Sequence, residues 1–188
     1  FIAGYADALG GKTQECIAKL DRSFQLDRGL FRDVAGLYIY YLNRPDLAVR
    51  AAGDDIGYLN YLAGILLEMQ YYDLAKQTVE KMEKLLLIQC SSPKADASTF
   101  GDLARLYVSQ HRNYDAIKYY RRALSINYSQ VYWRLELARL LMETQQIAEA
   151  VRETKICLRL RPGFKGAQEL LERLCVNPAG FVENAKYN

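Results

Sequence analysis

Histidine is nearly absent from this chain. Its 188 residues hold one, His111, beside four cysteines, four prolines and one tryptophan. One imidazole, with Cys16, Cys90, Cys157 and Cys175 scattered along the chain, cannot supply the clustered ligands of a tetrahedral zinc site, and neither a metal nor a cofactor is expected. Long apolar runs are missing as well. No stretch reaches the ~20 residues that cross a bilayer, so no membrane contact by this segment is expected. Neither sign of charge dominates: 25 Lys and Arg stand against 22 Asp and Glu, a net charge of +3. The pI of about 8.6 lacks the concentrated basic face, with a domain pI above ~9, that nucleic-acid binding calls for. Catalytic signatures are lacking too, with no G-x-S-x-G and no H-E-x-x-H. Gly10-Gly11-Lys12-Thr13 resembles the end of a phosphate-binding loop, but the first glycine of that motif is missing. Unpaired thiols fit a reducing, cytoplasmic compartment, and Cys16 and Cys157 fall at positions that want a small buried residue.

What the chain does have is tyrosine, 15 of them, a side chain suited to sites with one end buried and one end wet. It also has a repeat. Ala104, Ala116, Ala123 and Tyr128 are answered 34 residues later by Ala138, Ala150, Cys157 and Pro162. Leu103, Ala104, Leu106 and Tyr107 form an apolar stripe at helical spacing. Asn113 marks a turn, and Ala116, Ile117, Tyr120, Ala123 and Leu124 continue the stripe on a second helix. The small residues matter because two helices approach to ~8 Å only where side chains are short. Leu137, Ala138 and Leu141, then Ala150, Val151, Cys157 and Leu158, repeat the plan, and Pro162 stops it.

Upstream, the pairs Ala63/Ala75, Gly36/Ala48 and Gly4/Cys16 keep the within-repeat spacing of 12, but the period itself changes. Ala63 to Ala104 is 41 residues, and the surplus falls in a loop at 90–96 containing Ser91, Ser92 and Pro93. Gly36 to Ala63 is only 27, which requires a short helix from Pro45 to Ala52, closed by Gly53. Asp54 and Asp55 are placed to cap the helix opening at Ile56. The expected organisation is five repeats at 1–28, 29–55, 56–89, 97–130 and 131–164. An amphipathic cap at 165–174 and a tail at 175–188 follow. A first residue Phe1 and a shortened first repeat suggest a piece of a longer array.

This pattern resembles the tetratricopeptide family in its small-residue positions, the Tyr107 site and the closing Leu160-Arg161-Pro162. Trp133 stands one position early for the family's first-helix aromatic, and Tyr128 replaces a closing proline. The resemblance implies an all-α, right-handed superhelical stack of helix-turn-helix repeats with a C-terminal capping helix, the first helices lining a concave wall. Carried over residue by residue, the wall comprises Asn60, Gly64, Leu67 and Glu68, then Ser98, Gly101, Arg105, Val108 and Ser109, then Tyr132, Leu135, Arg139, Met142 and Glu143. The partner-binding candidates are Asn60, Ser98, Arg105, Ser109, Tyr132, Arg139 and Glu143; none is catalytic.

Arg105 and Arg139 occupy one position in adjacent repeats, a spacing suited to clamping a carboxylate or an acidic peptide. The competing reading pairs each with a neighbouring acid, Asp102, Glu136 or Glu143. The family's grip on an acidic chaperone C-terminus is not expected, because Gly101, Leu135 and Glu136 stand where amide or basic side chains are wanted. The expected function is a non-enzymatic protein-interaction scaffold that holds a protein or peptide segment, acidic ones included, in the concave groove. The alternative is the repeat region of a larger enzyme or assembly, such as a bacterial polysaccharide-assembly or glycosyl-transfer protein. Self-association through an exposed end of the stack is a further expectation.

Overall fold

The computed structural model describes residues 13–176, and every regular element among them is helical. The expected pairing of Gly4 with Cys16, the Gly10-Gly11-Lys12 stretch and the tail beyond Val176 lie outside the described residues. The chain divides into two compact units, Phe1–Leu85 and Leu86–Asn188. The first contains α1 (Thr13–Leu26), a 3₁₀ turn (Arg28–Leu30), α2 (Phe31–Gly36) running on into a π-helical turn (Leu37–Tyr41), α3 (Pro45–Ala52) and α4 (Ile56–Glu68). The boundary falls within α5 (Tyr72–Cys90). The second unit holds α6 (Ala97–Ser109), α7 (Asn113–Ile126), α8 (Val131–Glu143), α9 (Ile147–Leu160) and α10 (Lys165–Val176).

Local chemistry sets the helix ends. Asp55 caps α4 by accepting from the Tyr58 amide at 2.9 Å, while Asp54 pairs with Lys81 at 3.0 Å instead. Asp96 caps α6, accepting from the Thr99 amide at 2.9 Å and from the Ser98 and Thr99 hydroxyls at 2.8 Å. These bonds, the backbone one foremost, hold its carboxyl below the usual carboxylate range. α3 opens on Pro45, whose missing amide proton costs nothing in the first turn, and closes on Gly53 at φ 56°. α10 runs to Val176, two residues past the cap expected at 165–174.

A feature the sequence did not announce recurs at each turn between paired helices. Asn43, Gln70, His111 and Gln145 all sit in the left-handed region, at φ 51°, 63°, 57° and 62°. They are spaced by 27, 41 and 34 residues, the same intervals that separate Gly36, Ala63, Ala104 and Ala138. After three of them the next amide reaches back five residues, Tyr71 to the Leu66 carbonyl at 2.8 Å, Arg112 to Tyr107 at 2.9 Å and Gln146 to Leu141 at 2.7 Å. That closure satisfies carbonyls the helix end would leave orphaned. Arg44 reaches back six, to Tyr38 at 2.8 Å, because α2 finishes in the wider π turn.

Each unit has its own core. In the first, Cys16, Leu20, Val34, Tyr38, Ala48, Leu59 and Leu62 are fully buried. Tyr38 donates to Asp21 at 2.6 Å, and burial first, then that bond, raises its phenol well above its ordinary value. In the second, Ala104, Ala116, Ala123, Ala138, Ala150 and Cys157 are all 0% exposed, where short side chains admit the neighbouring helix. Trp133 explains a further glycine: a Cβ on Gly101 would lie 2.8 Å from the indole ring, closer than carbon atoms approach. The aromatic one position early thus fills the space that glycine leaves, joining α6 to α8.

Candidate functional site

Within the second unit, the exposed residues of the first helices α6 and α8 are built from a repeated motif, an acid three residues before an arginine. Arg105 pairs with Asp102, and Arg139 pairs with Glu136 at 2.7 Å. Both arginines are exposed, Arg105 more than Arg139. The competing reading is therefore the observed one, and each arginine carries its own counter-charge. Tyr120 on α7 is fully buried, and its phenol is held above its ordinary value by burial first, then by Glu136, with Arg105 opposing and Asp102 adding. Charges from adjacent repeats, Glu136 of one and the Arg105–Asp102 pair of the other, thus act on one buried ring.

The other candidates are placed as follows. Ser98 is exposed but engaged with Asp96, and Ser109 donates back to the Leu106 carbonyl at 2.7 Å. Tyr132 is 59% exposed; its ring meets Phe164 edge-on at 5.3 Å, and its hydroxyl accepts from Arg161 at 3.0 Å. Glu143 accepts from Asn113 at 3.2 Å. Asn60 is exposed on α4, in the first unit. Three wall positions implied by the resemblance are corrected: Gly101, Leu135 and Met142 are buried. Gly101 lies under Trp133, and Leu135 faces Gly166 of α10, where an added Cβ would come within 3.0 Å. What the wall presents is Arg105, Arg139 and Tyr132 with their partners.

The sequence also hid one buried cation. Arg134 on α8 is 3% exposed, paired with Glu153 of α9. It donates to the Tyr128 carbonyl at 2.8 Å, and its guanidinium stacks 4.3 Å from the Tyr128 ring. Its Nε has no partner. Here the residue that replaces the closing proline earns its place, holding the arginine that ties α8 to α9. Beside it, burial pushes the Cys157 thiol up to about 11, Arg134 opposing, and the thiol donates to the Val131 carbonyl at 3.3 Å. A signal was available in that Arg134 and Glu153 both interrupt buried stripes, but sequence alone does not show that they meet.

No group of three or more potential metal ligands occurs among the described residues, and no described helix is long and apolar enough to cross a membrane.

No family model matches the chain, and no curated protein matches it in sequence. Solved structures do. The MamA protein is similar with a TM-score of 0.53 at 15% identity, over 94% of this chain and 88% of that one. PilF of Pseudomonas aeruginosa gives 0.49 at 20% identity, over 92% and 80%. YrrB, described as a TPR protein with an unusual peptide-binding site, gives 0.48 at 16% identity, over 90% and 98%. At these identities the likeness to MamA speaks to fold alone. Together with the internal repeat, it makes this an all-helical stack of the tetratricopeptide type.

Proposed function

We propose, taking the tetratricopeptide-type fold as premise, that the chain is a non-enzymatic interaction scaffold that holds an extended partner segment across its first helices. The observation that supports this is the recurrence of one exposed Arg–acid pair, Arg105–Asp102 and Arg139–Glu136, on successive first helices. A guanidinium has five N–H donors, and each pair offers donors and an acceptor side by side. A surface ion pair contributes at most about 1 kcal/mol, so a ligand can remake it at small cost. Such a surface suits a segment that brings both carbonyl or carboxylate acceptors and its own donors. Tyr132 adjoins as an aromatic anchor of the kind that dominates interfaces. Rigid helices fix these groups in advance and lower the ordering cost of binding.

The test is peptide selection from a display library against the whole chain, followed by affinity measurement with Arg105→Glu/Arg139→Glu and with Tyr132→Ala. Each variant is expected to weaken the selected peptides by about tenfold or more with circular dichroism unchanged. Selected peptides that bind both variants as tightly as wild type would overturn the reading.

A further inference from the structure

The second helices of the same unit present a different surface. We propose that it carries a separate docking site for an acidic peptide segment with an apolar anchor residue. The site is a cavity of about 540 Å³ between the end of α5, the start of α6 and the outer turns of α7. Its floor is apolar. Leu87 is 36% exposed there, and the Phe100 and Tyr119 rings lie 6.5 Å apart and nearly parallel. Two cations one helical turn apart flank it: the Lys118 ammonium is 5.5 Å from the Tyr119 ring centre, and the Arg122 guanidinium is 5.5 Å from that of Phe100. Aromatic faces hold cations in place without cancelling their charge.

The decisive feature is what these two cations lack. Among the described residues neither Lys118 nor Arg122 has a carboxylate partner, and no Asp or Glu lines the cavity. Acids nearby are taken: Asp102, whose charge reaches the Cys90 thiol, is bound by Arg105, Asp115 by Arg112, and Glu149 by Arg121. The hydroxyls of Ser91 and Ser125 donate to the Leu87 carbonyl at 2.9 Å and the Arg122 carbonyl at 2.7 Å, so recognition of an anion falls to the two cations. A side chain seated on Leu87 and Phe100, with carboxylates on either side, complements both the floor and the rim. A nucleic acid fits less well. Its phosphates need a continuous basic track, and beyond Arg121 that track meets Glu149, shared with Arg152 at 3.7 Å.

The test uses a short fluorescein-labelled peptide with aspartates on both sides of a central phenylalanine, an asparagine-for-aspartate counterpart, and an oligouridine of similar length. Binding to the whole chain is read by anisotropy at physiological salt. Lys118→Glu/Arg122→Glu is expected to weaken the acidic peptide by about tenfold or more, while Lys118→Arg/Arg122→Lys retains most of the affinity. The asparagine peptide should bind as poorly as the charge reversal makes the acidic one. Both side chains are exposed, so the melting temperature should not move. In a Cys175→Ser background, the bound peptide should slow maleimide reaction at Cys90, another lining residue. Tyr132→Ala should leave this peptide's affinity alone, which separates failure here from failure of the first-helix reading. The proposal is overturned if the acidic peptide does not bind, if the reversal at 118 and 122 has no effect, if Cys90 stays unprotected, or if the oligouridine binds more tightly than the peptide.

Discussion

The first helices of the C-terminal unit carry six charged side chains and the second helices nine, and the two sets differ in how their cations are partnered. On α6 and α8 each exposed arginine has an acid one turn back, so Arg105 and Arg139 are neutralised within their own helices. On α7, Lys118 and Arg122 have no carboxylate partner among the described residues and rest on aromatic rings beside a cavity. Counting charges would rate the two pairs of cations alike. Counting partners separates them, because an acidic ligand at Arg105 or Arg139 meets the fixed negative charge of the carboxylate already there. Acidic chemistry, expected from the arginines of the first helices, is proposed for the second helices.

Several substitutions break or sharpen this contrast, starting with the largest effect. The two sets of helices are joined through Arg134, the buried exception to the rule that charges stay outside. Arg134→Met leaves Glu153 largely buried and alone, which should cost about 3–5 kcal/mol in urea denaturation. Adding Glu153→Met should recover much of that loss. The packing that sets the two faces apart is next: Ala104→Leu or Ala138→Leu should destabilise by about 1–3 kcal/mol through overpacking. Gly101→Ala should fall in the same range, since its Cβ meets the Trp133 ring. A thermal melt unmoved by all three would show the close helix contacts to be wrong.

Removing the internal acids erases the contrast itself. Asp102→Asn/Glu136→Gln should cost no more than about 1 kcal/mol per pair in stability, yet give the first helices a new affinity for the acidic peptide. The smallest effect is one of pH. The Asp96 carboxyl is held below its ordinary value by the α6 cap, so its contribution is fully present above about 3.9, the unfolded value. It is lost as pH falls through the lower folded value. The protection factor of the Thr99 amide should fall over that acid range, and Asp96→Asn should remove the dependence.

Much of the fold was legible because the repeat is written in residues that have little choice. Ala104, Ala138 and Cys157 must be small where helices cross, and Pro162 must end a helix. The turns were not legible by type, since Asn43, Gln70, His111 and Gln145 share a backbone conformation rather than a chemistry. The site was legible in part. The exposure of Arg105 and Arg139 follows from helical phase, and their pairing follows from an acid three residues back. The burial of Leu135 and Met142 depends on what α10 and the neighbouring helices cover, which no local pattern reports. The cavity escaped for a similar reason, since it brings Leu87 and Cys90 together with residues some thirty positions later.

The central claim, that partners rather than charges decide which face takes an acidic ligand, is tested most directly by titrating the isotopically labelled chain with the acidic peptide. Amide shifts are followed along α6 to α9. Shifts centred on Lys118, Arg122 and the end of α5, with Arg105 and Arg139 quiet, are the expected result. Shifts centred on Arg105 and Arg139, with α7 quiet, would contradict it.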